Sequence, residues 1–287
     1  MVDTKKSKKS VFITGCSHGG MGDALAQEFH RRGLQVFASA RNLTKTTHLV
    51  AMGIQVVELD VLDDNAIKAA VKVVAEATGG RLDYLINNAG IELCCGILDT
   101  DFAKAKLLFD TNLWSVITIT KAFTPLLEAA KGTVVNHSSV GSMVCMPFLG
   151  VYSASKAGLD QISDAMRMEL CSVGVSVVIL STAGVRTRML ENREPMHVPE
   201  GSIFAHNKAE VEKLKNEEQV VGITADAFAK TIVNKLLKNS KPMRIWGGES
   251  AGSVWFMLAF FPQSLIDWFV IRLTGAGPYF KYQNRLK

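Results

Sequence analysis

Between residues 11 and 180, short apolar runs alternate with amphipathic stretches, and this alternation restricts the fold more than any other feature of the chain. Val11–Thr14, Val36–Ala40, Ile54–Leu59, Tyr84–Asn87, Thr133–His137 and Val175–Leu180 are rich in β-branched residues and too short for helices. Near-continuous apolar runs of this kind read as strands buried on both faces. Between them, Met21–Arg32 carries Leu25, Ala26 and Phe29 on one face and stops at Gly33. Asp63–Thr78 opens on a capping aspartate and ends at Gly79-Gly80, and longer helical stretches cover 101–130 and 152–173. A helix over 224–238 and a seventh strand at Met243–Trp246 complete the pattern. The expectation is an α/β fold in which helices cover both faces of a doubly wound, seven-stranded parallel sheet in a single domain.

Composition narrows the setting. With 48% hydrophobic and 21% charged positions, the 287 residues bury too much apolar surface for a disordered chain. The five cysteines include an adjacent pair, Cys94 and Cys95, and no Cys-x-x-Cys, so neither a disulfide scaffold nor a thiolate metal site is expected. Of the net charge of +5, Lys5, Lys6, Lys8 and Lys9 against Asp3 supply +3 within the first ten residues. The remainder is near neutral and shows no basic face for nucleic acid. The lysine-rich start has no apolar run of a secretory signal, so a cytoplasmic setting is expected.

The boundaries follow: a disordered basic tail over 1–10, the wound domain over 11–250 and an apolar extension over 251–287. Within the domain, the polar segment 185–222, with Pro195 and Pro199, is expected to be a substrate lid. In the extension, 254–261 and 265–271 are strongly apolar but are separated by Pro262, Gln263 and Ser264. Neither half approaches the about 20 residues of a spanning helix. A subunit contact, a cover for a pocket and a monotopic anchor on a lipid surface all fit this segment.

The candidate chemistry lies at the carboxyl ends of the expected strands, where wound sheets bind ligands. The first is the turn Thr14-Gly15-Cys16-Ser17-His18-Gly19-Gly20-Met21-Gly22, between a strand and a helix. There, glycines let the backbone approach a pyrophosphate and the helix N-terminus supplies N–H donors. Asp60-Val61 follows the third strand, at the height of an adenine amino group. Asn87-Asn88-Ala89-Gly90 follows the fourth, Asn112 lies within the long helix, and Ser138-Ser139 follows the fifth. Tyr152 and Lys156, four residues apart, share one face of the next helix. An ammonium near a phenol favours the phenolate, so Lys156 is expected to lower the pKa of Tyr152 and make it a general acid for a carbonyl oxygen. Ser139 is placed to donate a hydrogen bond to the same oxygen. Taken singly, a glycine-rich turn is weak evidence for a cofactor and a Tyr-x-x-x-Lys pair reads as a surface ridge; the set in this order is far more specific.

That set resembles the short-chain dehydrogenase/reductase family over about residues 10–250. The glycine-rich turn, Asp60, Asn87-Asn88-Ala89-Gly90, Ser139 and Tyr152/Lys156 match in order, and the serine precedes the tyrosine by 13 residues as in the family. The resemblance implies a Rossmann fold and a catalytic set of Asn112, Ser139, Tyr152 and Lys156, with a water-linked relay from Asn112 to the lysine. It also implies a cofactor held by Gly15, Ser17, His18, Gly20, Met21, Gly22, Arg41, Asp60, Val61, Asn88, Ala89, Gly90, Tyr152, Lys156, Val185 and Thr187. Two departures stand out. One extra residue separates Gly15 from the later glycines, with Gly19 taken as the extra. After the sixth strand, Thr182-Ala183-Gly184-Val185-Arg186-Thr187 lacks the family's usual proline.

Family members that use NAD place a carboxylate at the end of the second strand; here Ala40 is followed by Arg41, which suits a 2′-phosphate. The expected cofactor is therefore NADP(H), and the expected reaction reduction of a ketone. Leu93, Cys94, Cys95, Met143, Val144, Met146, Phe148 and Leu149 are candidates to line an apolar pocket. The Thr-x-Gly-Val-x-Thr variant and the aromatic C-terminal segment are similar to the fungal and yeast-type 1-acyl-dihydroxyacetone-phosphate reductases. They are equally similar to fungal ketoreductases of polyketide and terpenoid pathways. A non-redox NADP-binding protein and a cyclase or isomerase on the same fold are the opposing readings. No metal site is expected. The resemblance further implies a homodimer or homotetramer formed through the two long helices. Peripheral contact of 254–271 with endoplasmic reticulum or lipid droplets is expected if that segment is the anchor.

Overall fold

Every residue of β1 (Ser10–Ile13) and β4 (Tyr84–Asn87) is buried, as strands covered on both faces must be. They lie at the middle of the sheet in the computed structural model, which describes residues 8–188, 193–217 and 221–274. β2 (Gln35–Ala40), β3 (Gln55–Glu58), β5 (Thr133–Ser139) and β6 (Ser176–Thr182) complete six strands. Short β7 (Val185–Arg186) and β8 (Ile223–Thr224) pair with each other in a separate parallel ladder. β9 (Arg244–Gly247) is the seventh strand of the main sheet. Its order is β3-β2-β1-β4-β5-β6-β9, with all neighbours parallel. The order reverses between β1 and β4, which opens a crevice at their carboxyl ends.

The helices are α1 (Met21–Arg31), α2 (Thr47–Ala51), α3 (Asp64–Thr78), α4 (Phe102–Phe109), α5 (Ser115–Ala130), α6 (Gly150–Leu170), α7 (Lys208–Asn216), α8 (Ala225–Leu236), α9 (Ala251–Phe260) and α10 (Gln263–Leu273). One face of the sheet packs on α1 and α8 through Ile13, Leu25, Phe29, Phe228 and Ile232. The other packs on α3 and α5 through Phe12, Phe37, Ile67 and Phe123. Phe12 and Ile13 thus send adjacent side chains into opposite layers. Phe12 meets Phe123 with ring centroids 4.7 Å apart, and each fully buried phenylalanine contributes roughly 1.5–3 kcal/mol over an exposed one. Asp63 caps α3 as expected, its side chain accepting from the Asn65 and Ala66 amides.

Three expectations need correction. The 101–130 stretch is not one helix: a turn of π-helix at Asp110–Trp114 separates α4 from α5. The basic tail does not extend to residue 10, because Ser10 pairs with Gln35 in the sheet; residues 1–7 lie outside the described residues. The segment 185–222 is more ordered than its polarity suggests. It contains β7 and α7, and Met196, Val198 and Val211 form a small core with Cys94, Phe148 and Leu149. After β9, α9 and α10 make a hairpin whose Ile266 and Val270 bury against Val144. Trp255, Phe256, Phe260 and Trp268 on the same hairpin remain exposed. No helix among the described residues is long and apolar enough to cross a membrane.

Candidate active site

The glycine-rich turn is shaped by contacts that exclude side chains. Gly15 has φ +73°, and a Cβ there would lie 2.9 Å from the Ala89 Cα. A Cβ on Gly22 would lie 2.5 Å from both Asn88 Nδ2 and the Gly15 carbonyl oxygen. The extra glycine also has a role: Gly19 takes the left-handed conformation, φ +77°, with the Arg188 side chain against it. Gly20 caps α1 without a side-chain hydrogen bond, so the turn meets the helix N-terminus as bare backbone. That is a cradle an anion fits: close backbone, no Cβ in the way and the positive end of a helix dipole.

Thr14 ties this turn to the next one. Its Oγ1 accepts from the amides of Asn88 and Ala89 at 3.0 and 2.9 Å. The Asn88 Nδ2 donates back to the carbonyls of Thr14 and Gly15 at 2.7 and 3.0 Å. The remaining Asn88 Oδ1 is therefore an acceptor, and His137 Nδ1 lies 2.9 Å from it. His137 Nε2 sits 2.7 Å from Thr182 Oγ1. This pattern puts a proton on Nδ1, while the Thr182 hydroxyl serves Nε2 as donor or acceptor. Full burial keeps the ring neutral, pushing the imidazole down to about 3, with the Lys156 charge acting the same way. Sequence reasoning treated His137 as a strand-end residue and gave no role to Thr182. A histidine facing an Asn-Asn turn across one strand register was the available signal.

The four residues of the expected catalytic set converge, with one change of geometry. Ser139 ends β5 and its hydroxyl accepts from the Gly141 amide at 3.0 Å; Ser139 and Tyr152 flank that glycine, where a Cβ would stand 3.2 Å from Ser139 Oγ and 3.7 Å from Tyr152 Cε1. Ser138, the alternative, points its hydroxyl into the protein without a hydrogen-bond partner. Lys156 Nζ lies 5.9 Å from the Tyr152 ring centroid and donates to the His137 carbonyl at 2.8 Å. Asn112, in the π turn, brackets Ile91: its Oδ1 accepts from the Ile91 amide and its Nδ2 donates to the Ile91 carbonyl, both at 2.9 Å. Its side chain thus holds the loop after β4. A Cβ on Gly90 would stand 3.2 Å from Asn112 Oδ1 and 3.6 Å from Lys156 Nζ, so lysine and asparagine flank the same backbone.

The expectation that Lys156 lowers Tyr152 is not met. Burial is the largest influence and raises the phenol above its ordinary value, the Glu92 charge adds to this, and the Ser139 hydrogen bond opposes it. Burial also pulls Lys156 down to about 8, partly countered by Asp160 one turn on. Two groups that each lose solvent are not compensated by one another at this separation.

The remaining expected contacts surround the crevice. Arg41 is exposed just past β2 and makes no ion pair among the described residues. His18 follows the first turn, its amide bonded to the Lys45 carbonyl. Asp60 begins a turn in which its Oδ1 accepts from Leu62, and Val61 is buried beside it. Ser17 and Met21 are half-buried in the turn. Val185 is buried in β7, and Thr187 follows it. Of the expected pocket lining, Cys94, Phe148 and Leu149 are instead consumed in packing 193–216 against the body, and Val144 in packing α10. Leu93, Cys95, Met143 and Met146 stay part-exposed. One grouping was missed: Asp23 accepts from the Gly19 amide at 2.9 Å, with His48 at 2.7 Å and His18 at 3.6 Å. Its oxygens stand at hydrogen-bond distances, which makes it a buttress for the turn.

The family model for short chain dehydrogenase matches residues 9–197. The chain belongs to the short-chain dehydrogenase family. The short-chain dehydrogenase ptmH of Penicillium ochrochloron is 36% identical over 269 residues, covering 93% of this chain and 98% of that one. The NADPH-dependent 1-acyldihydroxyacetone phosphate reductase of Schizosaccharomyces pombe is 38% identical over 268 residues, covering 88% and 90%. Among solved structures, a short-chain dehydrogenase from Streptomyces avermitilis superposes with a TM-score of 0.76 at 26% identity, covering 93% and 98%. As a short-chain dehydrogenase, the protein is an oxidoreductase.

Proposed function

We propose that the protein is an NADPH-dependent carbonyl reductase acting on a ketone in an apolar substrate, lipid-like or of polyketide or terpenoid type. The observation that carries this reading is the gathering of Ser139, Tyr152 and Lys156 at the carboxyl end of β5, Ser139 and Tyr152 on either side of Gly141 and Lys156 Nζ 5.9 Å from the phenol ring, beside the bare-backbone cradle of α1. NADPH supplies the hydride when bound. Gly15, Gly20 and Gly22 would let its pyrophosphate approach the N-terminus of α1, and Asn88, Ala89 and Gly90 in the turn after β4 would help to hold it. Ser139 donates to the ketone oxygen and orients it. Tyr152, held protonated by burial and by Glu92, gives its proton to that oxygen as charge develops. Lys156, fixed by the His137 carbonyl, holds the ribose and supplies positive charge near the phenol as the proton leaves.

NADP(H) is favoured over NAD(H) by the exposed Arg41 and by the absence of a carboxylate at Ala40. The NADPH-dependent Schizosaccharomyces relative and an NADP-bound Burkholderia cenocepacia dehydrogenase are in keeping with that choice. An apolar substrate is supported by the part-exposed Leu93, Met143 and Met146 in the loops after β4 and β5, and by the α9–α10 hairpin, which packs on Val144 of the latter loop. The specific reading as a 1-acyl-dihydroxyacetone-phosphate reductase is favoured by the 38% identical relative. Leu107 on α4 and Trp114 in the π turn, both exposed, support pairing of two copies through the long helices, which sedimentation measures. The deciding experiment follows NADPH absorbance at 340 nm against a panel of ketones, including an acyl-dihydroxyacetone phosphate. Reduction of an apolar ketone is expected; NADPH binding with no ketone reduced would falsify the reading.

A further inference from the structure

Three donor side chains converge beside the glycine-rich turn, and bracing of that turn accounts for only part of their arrangement. Asp23, in the first turn of α1, is buried. Each of its carboxylate oxygens already has a donor: the Gly19 amide on Oδ2 and Gln27 Nε2 on Oδ1, both at 2.9 Å. The first of these bonds is enough to brace the turn. Two imidazoles come in addition. His48 Nε2 lies 2.7 Å from Oδ1, and His18 Nδ1 lies 3.6 Å from Oδ2.

The longer distance is the informative one. At 3.6 Å a ring nitrogen and a carboxylate oxygen make no hydrogen bond. Two ligands of one tetrahedral zinc ion, each about 2.0–2.2 Å from the metal, stand about 3.4 Å apart. One ligand atom from each of His18, Asp23 and His48 lies within 4.8 Å of the other two. No other three His, Cys, Asp or Glu side chains among the described residues are gathered so closely. The two rings meet edge to face, their centroids 4.6 Å apart, and both turn a nitrogen towards the same carboxylate. His48 needs to draw back by about 0.7 Å to take its place in such a set.

The backbone holds the donors in place. The His18 amide donates to the Lys45 carbonyl at 2.9 Å, which ties the turn to the segment leading into α2. That segment is closed by the Thr46 hydroxyl on the Leu43 carbonyl at 2.7 Å, two residues before His48. His18 is exposed and His48 half-buried, so an ion reaches the donors from solvent. Two imidazoles and a carboxylate suit zinc and its transition-metal neighbours, whereas magnesium and calcium take oxygen ligands. Gln27 and Gly19 supply the outer hydrogen bonds that orient a ligating carboxylate. The cysteine spacings that exclude a thiolate site do not bear on this one, and His48 reaches Asp23 only through the fold, 25 residues on.

We propose that His18, Asp23 and His48 form a binding site for a divalent transition ion of the zinc type. The ion binds the two rings in their neutral form, through His18 Nδ1 and His48 Nε2, and takes the place of a proton between imidazole and carboxylate. One ion then links the glycine-rich turn, α1 and α2. The site is independent of the substrate and of the role of Tyr152.

The test titrates Zn²⁺ into the full-length chain by isothermal calorimetry, after the accessible thiols of Cys95, Cys145 and Cys171 are capped with iodoacetamide. One equivalent is expected to bind, with the affinity weakened by about tenfold or more in His18→Gln and in His48→Gln. Both substitutions lie at the surface and keep a hydrogen-bonding side chain, and circular dichroism checks their folding. In protein labelled with ¹⁵N in histidine, Zn²⁺ is expected to shift His18 Nδ1 and His48 Nε2, assigned by the two variants. No binding of Zn²⁺ overturns the proposal. So do equal affinities in wild type and both variants, shifts confined to other histidines, or displacement of Zn²⁺ by equimolar Mg²⁺, which would mark a site that reads charge alone. A wild type that reduces no ketone leaves all of these measurements in force.

Discussion

Lys156 gives its ammonium to the main-chain carbonyl of His137, at 2.8 Å, and keeps the Tyr152 ring at 5.9 Å. The lysine is thus positioned by a strand it does not belong to, and its charge reaches the phenol through space. Removing the phenol hydroxyl while leaving this arrangement intact isolates proton donation. Tyr152→Phe is expected to lower kcat at least about a hundredfold. NADPH affinity, measured by fluorescence titration, should stay within a few-fold of wild type. Unchanged turnover would remove Tyr152 from the mechanism.

His137 makes stability depend on pH. Its imidazole is held near 3 in the fold against an ordinary value of 6.5. Below pH 6.5 the unfolded chain binds a proton that the native one refuses, so stability falls as pH drops from 6.5 towards 3. The loss amounts to at most about 5 kcal/mol when complete. His137→Gln keeps a donor and an acceptor for Asn88 and Thr182 but carries no titration. Chemical denaturation at pH 7 and pH 5 is expected to show a smaller drop in the variant; equal drops would refute the assignment.

Arg41 is the proposed discriminator between cofactors. Arg41→Asp replaces an exposed cation with a carboxylate beside the 2′ position. The ratio of kcat/KM for NADPH over NADH is expected to fall by at least tenfold, the equivalent of about 1.4 kcal/mol. A ratio left as in wild type would place the 2′-phosphate elsewhere.

Gly22 has no room for a methyl group. Gly22→Ala puts a Cβ against Asn88 Nδ2 and the Gly15 carbonyl, both held by further hydrogen bonds. The expected cost is at least about 2 kcal/mol of stability, with weakened NADPH binding. Thermal denaturation with and without NADPH separates the two effects.

The α9–α10 hairpin is read as a cover beside the substrate mouth. A 1–250 chain should remain active on small ketones and show a raised KM for apolar ones. An unchanged KM would leave the hairpin without that role. Flotation of both forms with phospholipid vesicles tests the anchor directly, since vesicle binding lost on truncation would put the exposed tryptophans in lipid.

Legibility followed periodicity. The seven strands could be read because buried parallel strands are near-continuous apolar runs, and Tyr84–Asn87 was bounded without error. β5 and β6 ran further than read, to Ser139 and Thr182, because polar residues at strand ends break the apolar signal but not the ladder. The π turn was invisible, since one extra residue leaves helical composition unchanged. The positions of Ser139, Tyr152 and Lys156 were readable from spacing along one strand and one helix. The electrostatics were not: the acidity of Tyr152 depends on burial and on Glu92, 60 residues away in sequence. The ordered core of 193–216 escaped because its apolar residues are scattered among charges and find their partners only across the fold.

The single extra residue in the π turn has a consequence for how this chain tolerates change in length. Each residue of a helix turns its successors by about 100°. The insertion therefore lets α5 present Ile119 and Phe123 to the sheet while Asn112, a turn earlier, still reaches Ile91. Deleting any one residue between Phe109 and Ser115 would yield a straighter, more regular helix in which one of those two registrations is lost. In this stretch, a shorter and locally better helix is incompatible with the enzyme, so deletions are not accommodated there.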